Sequence, residues 1–274
     1  MLFVSNTLVR QIEAAEAASL ASIVEACGGQ SWATRIAGGI ALFRTAGSPF
    51  TKLAGLGFAP LSDEELSSLE RRYAEQRAPV QFELATHADP ALTNRLAARG
   101  YTLSGYEQVL GHTLEAARQA SAPEDLEVRR ARRDERAAWV HVLSAASAVP
   151  SEPGAPHSHD DFTRHAIEQA FSDMSNDPSV ERWLALHAGR VVGGASLAVH
   201  ERIALFSGAA TLPAARRRGV QGALLAARLG SARAAGCELA AVTVEPGSRS
   251  QHNVQRAGFS PLYARAIWRR EHAG

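Results

Sequence analysis

Apolar and polar positions alternate along this chain in two rhythms, one of helical and one of strand period, and the whole succession occurs twice. Residues 6–26 carry apolar side chains at helical spacing with Arg10, Glu13 and Glu16 between them, which predicts a helix. Short strands are expected at Gly38–Phe43 and Phe50–Gly57. Ser62 then opens SDEEL, a serine cap with acids in the first turn and Leu66, Leu69 and Tyr73 following at helical intervals. Pro79–Ala85 alternates as a strand, Asp89–Ala98 is a capped helix closed by Gly100, and Tyr101–Leu114 is expected to be two strands through a tight bend.

After the polar stretch RQASAPED (Arg118–Asp125), a linker by composition, the pattern restarts. It predicts a strand at Leu126–Arg130 and a helix at Asp134–Ala146. A Pro-, Ser- and His-rich loop follows at Val149–His159, then a helix at Asp160–Met174. Strands follow at Trp183–His187, Val191–His200 and Arg202–Leu212. A helix is expected at Gln221–Ala235, a strand at Glu238–Val244, a helix at Ser250–Ala257 and a closing strand pair at Phe259–Arg269. GGIALF (Gly38–Phe43) is echoed by GGASLA (Gly193–Ala198), and Leu96–Leu110 by Asn253–Trp268. Gly39 and Gly100 are 61 residues apart and Gly194 and Gly258 are 64 apart, by subtraction, so order and spacing both point to a tandem repeat.

Composition narrows the class. The 274 residues suit two domains, here residues 1–117 and 126–274 joined by 118–125, in an α/β chain. A net charge of +1 leaves no global basic excess for nucleic acid, so any anion affinity must be local. No apolar run has the length of a membrane span, and the N-terminus has acids where a secretory peptide would stay apolar. A cytoplasmic protein is expected, with Cys27 and Cys237 as free thiols.

The local anion site is Arg216–Leu225, RRRGVQGALL. A strand, a turn and a helix start place free backbone N–H groups at the positive end of a helix dipole. Gly219 and Gly222 permit tight curvature and remove side chains that would block a diphosphate. Arg216, Arg217 and Arg218 are repelled by the dipole, so their clustering calls for an anion. Neither a P-loop nor a GxGxxG fingerprint is present, which counts against nucleotide hydrolysis and dinucleotide binding.

Arg216-Arg217-Arg218-Gly219-Val220-Gln221, with Pro213 ahead of it, resembles the phosphate-binding signature of the GNAT family of N-acetyltransferases. The block from Glu238 to Trp268, with Ala257-Gly258-Phe259, is similar to that family's later strands and helix. The resemblance covers about residues 126–270 and implies a mixed sheet whose fourth and fifth strands splay around acetyl-CoA. It implies that the backbone of Arg218, Gly219, Val220, Gln221, Gly222 and Ala223 holds the pyrophosphate, with Arg217 adding charge. Ala210, Thr211 and Leu212 would line the pantetheine arm, and Ser250 and Asn253 would sit near the cofactor. Gln221 stands where glycine or alanine is usual, and Val254 stands where many members place the tyrosine that protonates the thiolate.

Catalytic groups are less marked. Glu245, just past a strand, is either a base at the mouth of the gap or a solvated carboxylate; Tyr263 either reaches the thioester or fills the core. His200 and Glu201 read as surface groups. HSHDD (His157–Asp161) lacks zinc spacing, so no metal is expected and the loop reads as a lid over the acceptor. In the first half the matching turn, FAPLSDEEL, puts Asp63, Glu64 and Glu65 where a diphosphate would lie, so no cofactor site is expected there. The expected activity is acetyl transfer from acetyl-CoA to a small primary amine, in a ternary complex without an acyl-enzyme. The rivals are a non-catalytic acyl-CoA sensor and an enzyme using a longer acyl-CoA or an alcohol acceptor.

Overall fold

The computed structural model describes residues 4–114, 125–149 and 162–271. The expected linker therefore falls, except for Asp125, outside the described residues, as does the HSHDD loop. The first half runs α1 (Asn6–Cys27), β1 (Trp32–Ile36), β2 (Gly39–Phe43), β3 (Lys52–Ala54), α2 (Asp63–Glu75), β4 (Val80–Ala85), α3 (Pro90–Ala98) and β5 (Thr102–Thr113). The second runs β6 (Leu126–Arg130), α4 (Arg136–Ser147), α5 (Arg164–Asn176), β7 (Glu181–His187), β8 (Arg190–His200) and β9 (Ile203–Thr211). It ends with α6 (Val220–Ala234), β10 (Leu239–Val244), α7 (Arg249–Arg256) and β11 (Ser260–Arg270).

Local chemistry sets the helix starts. Ser62 and Glu65 form a reciprocal capping box on α2, Asp89 accepts from Ala91 N–H ahead of Pro90, and Ser248 accepts from Gln251 N–H on α7. Strand β1 was not foreseen: its residues are half-buried except for the exposed Arg35, without alternation, and only its antiparallel pairing with β2 makes it a strand.

The eleven strands among the described residues form one sheet in the order β1-β2-β3-β4-β11-β5-β10-β9-β8-β7-β6. The pairs β3·β4 and β9·β10 are parallel and every other pair is antiparallel. The final strands are exchanged between the halves. Strand β11 lies between β4 and β5 of the first half, and β5 pairs with β10 of the second. The two stretches expected to be strand pairs, 101–114 and 259–269, are each one long strand. What looked like bends are absorbed as register shifts, one between Pro261 and Tyr263 and the other between Ile267 and Trp268.

Helices cover both faces. A Cβ added to Gly193 would meet Val220 of α6, and one added to its neighbour Gly194 would meet Val142 of α4. Successive strand residues face opposite sides, so α6 and α4 pack on opposite faces of β8. Helix α1 joins α4 and α5 over a cluster that includes Leu20, Val24, Leu143, Met174 and Leu184. At the sheet centre Arg265 of β11 is buried against two carboxylates of α1, Glu13 at 2.8 Å and Glu16 at 2.7 Å.

Candidate active site

Strands β9 and β10 pair only from Ile203↔Leu239 to Phe206↔Val242 and then part. The separation follows from the strand on the other side. β9 stays bonded to β8 as far as Gly193↔Thr211, through a register shift between Gly194 and Ser196, and Gly208 takes a left-handed φ of +55°. The gap opens into a cavity of about 510 Å³ lined by Phe206–Thr211, Val242, Thr243, Glu245, Ser250, Asn253 and Val254, with Gln221, Leu225 and Arg228 of α6. A second cavity of about 460 Å³ wraps the start of α6. The two share Thr211, Arg216, Gln221, Leu225, Arg249 and Asn253, so they form one continuous cleft.

The turn into α6 is built for exposed donors. Arg217 and Gly219 both have left-handed backbones, φ +65° and +78°. For a non-glycine residue that conformation costs on the order of 1 kcal/mol. Gly219 is the N-cap without a side-chain cap, and the first helical bond runs from Ala223 N–H to Gly219 O at 3.0 Å. The N–H groups of Val220, Gln221 and Gly222 therefore have no helical acceptor, while that of Ala223 is already used. A Cβ at Gly222 would meet nothing within 4 Å, so the space before these donors is open. The second cavity is lined by Arg216, Arg217, Arg249 and Arg256, with no acid among its described lining residues. Thr211 Oγ1 is buried beside both cavities with no protein partner among the described residues. Open donors, net positive charge and an orphaned hydroxyl fit an extended, phosphorylated cofactor.

The expected site residues separate into groups. Ala210, Thr211, Gln221, Ser250 and Asn253 border the strand gap, joined by Glu245; Arg217, Gly219, Val220 and Gly222 border the helix start. Leu212 donates its N–H to Val192 O at 2.9 Å and, with Arg218, lines a different cavity beside His187 and Arg190. Tyr263 borders neither part of the cleft. Its hydroxyl is buried and donates to Glu13 Oε1 at 2.6 Å, and burial pushes its pKa up. Val254 is buried on the cleft wall, so the position carries no proton donor. Glu201 is exposed at the β8–β9 turn and His200 is half-buried there.

Two residues, Thr243 and Arg228, escaped the sequence reading, and Arg216 of the cationic turn proves to be bonded to backbone carbonyls. Arg216 braces the backbone beside the cleft, donating to Val149 O at 2.8 Å, Ala146 O at 3.2 Å and Thr211 O at 3.3 Å. Thr243, on the gap wall, lies 3.5 Å from Glu16 of α1, which links the cleft to the first half. Arg228 is buried in the wall itself. In the first half the matching gap, after Ala54↔Glu83, is bridged by Asp89 N–H donating to Gly57 O at 2.8 Å. There the α2 start is occupied by its own capping box.

A strand splay beside an uncapped, cation-flanked helix start coincides with a family match. The family model described as "Acetyltransferase (GNAT) family" matches residues 139–259, a span that contains the whole cleft. Over these residues the chain is similar to the GNAT acetyltransferases. The GNAT fold extends further: a GCN5-related N-acetyltransferase from Kribbella flavida superposes with a TM-score of 0.70 at 17% identity, covering 97% of this chain and 96% of that one. A tandem GNAT protein from the clavulanic acid biosynthesis pathway gives 0.58 at 14% identity, with 89% and 83% covered. A GCN5-related N-acetyltransferase from Sphaerobacter thermophilus gives 0.56 at 19%, with 77% and 66% covered. No curated protein matches the sequence. Among the described residues no helix is long and apolar enough to cross a membrane, no cluster of His, Cys, Asp or Glu could hold a metal ion, and Cys27 and Cys237 are free.

Proposed function

We propose that the chain transfers the acetyl group of acetyl-CoA to the primary amine of a small molecule, by direct attack in a ternary complex. The observation that carries this reading is the continuous cleft joining the α6 N-terminus to the β9–β10 splay. The N–H groups of Val220–Gly222, with Arg217 and Arg249 nearby, would hold the diphosphate. The β9 edge would run beside the pantetheine. Leu212 N–H points to β8, so by strand alternation that of Thr211 points into the gap. The thioester would then reach the closed end, near Phe206 and Val242. Glu245 is the one carboxylate among the described lining residues of the gap, and it would take the amine's proton directly or through water. With no activated nucleophile among the described lining residues of the cleft, an acyl-enzyme is not part of the scheme.

The N-terminal half (1–117, joined through 118–125 to 126–274) would serve as scaffold and as one wall of the acceptor site. The contact between Thr243 and Glu16 supports that division. Val254 favours a second reading, an acyl-CoA sensor without turnover, because the departing thiolate meets an apolar side chain. One assay separates them: the full chain with acetyl-CoA and a panel of amines, read out as free thiol alongside calorimetric CoA binding. Amine-dependent thiol release supports the transferase. Binding without release supports the sensor, and absence of CoA binding ends both.

A further inference from the structure

Among the described residues that line the cleft Arg228 is the most deeply buried charge, 1% exposed, and none of the described acids is paired with it. Its Nε donates to Leu224 O at 3.2 Å and its Nη1 to Ser196 O at 2.9 Å. No hydrogen bond of Nη2 and no ion pair of this guanidinium occurs among the described residues. Desolvation alone draws its pKa down to about 9. Part of its role is structural. The β8 register shift leaves two carbonyls to be satisfied, and Trp139 bonds Ala195 O from one face while Arg228 bonds Ser196 O from the other. A neutral donor would serve that carbonyl equally well. The uncompensated charge is what the structural role leaves unexplained, because a cation removed from water costs several kcal/mol unless it is paired.

Its position indicates the missing partner. The guanidinium stands over the ring of Phe206, 4.6 Å from the centroid. Phe206 is the last β9 residue paired with β10, so Arg228 lies at the closed end of the gap, in the cavity that Val242 and Val254 also line. On the proposed function, on which this inference rests, that is where the acyl group and the acceptor meet. We infer that Arg228 at the apex of the β9–β10 splay is a binding site for a carboxylate carried by one of the two reactants. The carboxylate ends either the amine acceptor, as in an amino acid, or the acyl chain, in which case the donor is a dicarboxylic monothioester of CoA in place of acetyl-CoA. A carboxylate there would complete a charge-assisted pair in a site largely screened from water.

The test has two arms on the full chain. The first compares calorimetric binding of succinyl-CoA and butyryl-CoA, which share chain length and differ in the terminal carboxylate. The second compares kcat/KM, with acetyl-CoA, for a series of amino acids and their carboxamides. The inference expects a preference of at least roughly tenfold for the carboxylate form in one arm, which also names its source. In Arg228→Gln, whose amide retains a donor for Ser196 O, that ratio should fall towards one. Arg228→Lys, which keeps the charge, should retain part of it. A preference that persists in Arg228→Gln overturns the assignment. If the variants do not fold, the wild type still decides: CoA binding with no carboxylate preference in either arm overturns this inference alone. Failure to bind CoA removes the transferase reading and this inference with it.

Discussion

Gly222 lies at the third position of α6, where a side chain would meet empty space and where three donor N–H groups face outward. Stability and function pull in opposite directions there. An acid in a first helical turn gains about 0.3–1 kcal/mol from the dipole, and glutamate replacing glycine in a helix gains up to about 1 kcal/mol in propensity. The same carboxylate would occupy the space assigned to a diphosphate and repel it. Gly222→Glu should therefore melt higher by about 1 kcal/mol in chemical denaturation yet bind CoA at least roughly tenfold more weakly by calorimetry. Gly222→Ala separates bulk from charge and should weaken binding less than the acid does. A Glu variant that is stabilised and binds CoA normally would place the diphosphate elsewhere. The turn could be located from its sequence because its chemistry is local, in ten consecutive residues. Arg228 could not, although one sign was present: it falls at helical spacing among Leu224, Leu225 and Leu229, on a face otherwise apolar.

At the scale of elements the least legible feature was the exchange of β5 and β11. Alternation announces a strand but says nothing about its partner, and both strands suit either half. Tyr263 illustrates the consequence. Assigned to a closing strand pair, it had two possible neighbourhoods; on a single long β11 it faces Glu13 of α1. The exchange also assembles the central charges. Arg265 bonds Glu13 and Glu16, and Glu107 lies 3.6 Å from the same guanidinium. Arg265→Met would leave these acids buried without their cation and should destabilise the fold by about 3–5 kcal/mol at pH 7. Burial pushes the Glu107 carboxyl up from 4.5 to about 8. Its folded pKa thus exceeds the unfolded one, so its contribution is complete below about pH 4.5 and is lost as pH rises through about 8. Glu107→Gln, fixed in the uncharged form, escapes that loss. Its stability relative to wild type should grow by at least about 1 kcal/mol between pH 5 and pH 8.5 in paired denaturant titrations. A flat difference would mean that Glu107 is ionised in the folded protein throughout this range.

Across the whole molecule the tandem echo in the sequence foretold two similar halves, and the strand order repeats accordingly: β1-β2-β3-β4 on one side, β7-β8-β9-β10 on the other. What spacing could not convey is that neither half completes its own sheet. Removing β11 would uncover both β4 and β5, and removing β5 would uncover β10 and β11. Open edges of that length are poorly tolerated in isolation, so the halves should not melt separately. Scanning calorimetry of the full chain is expected to give one transition whose calorimetric and van't Hoff enthalpies agree. CoA contacts only the second half in the proposed mode, yet through the shared strands it should stabilise both. At 100 times its dissociation constant it contributes about 2.7 kcal/mol, which moves a domain of this size upward by roughly 5 °C. The entire transition should shift together. Two resolved transitions, with CoA raising only one, would mean that the exchanged strands join two units that fold independently.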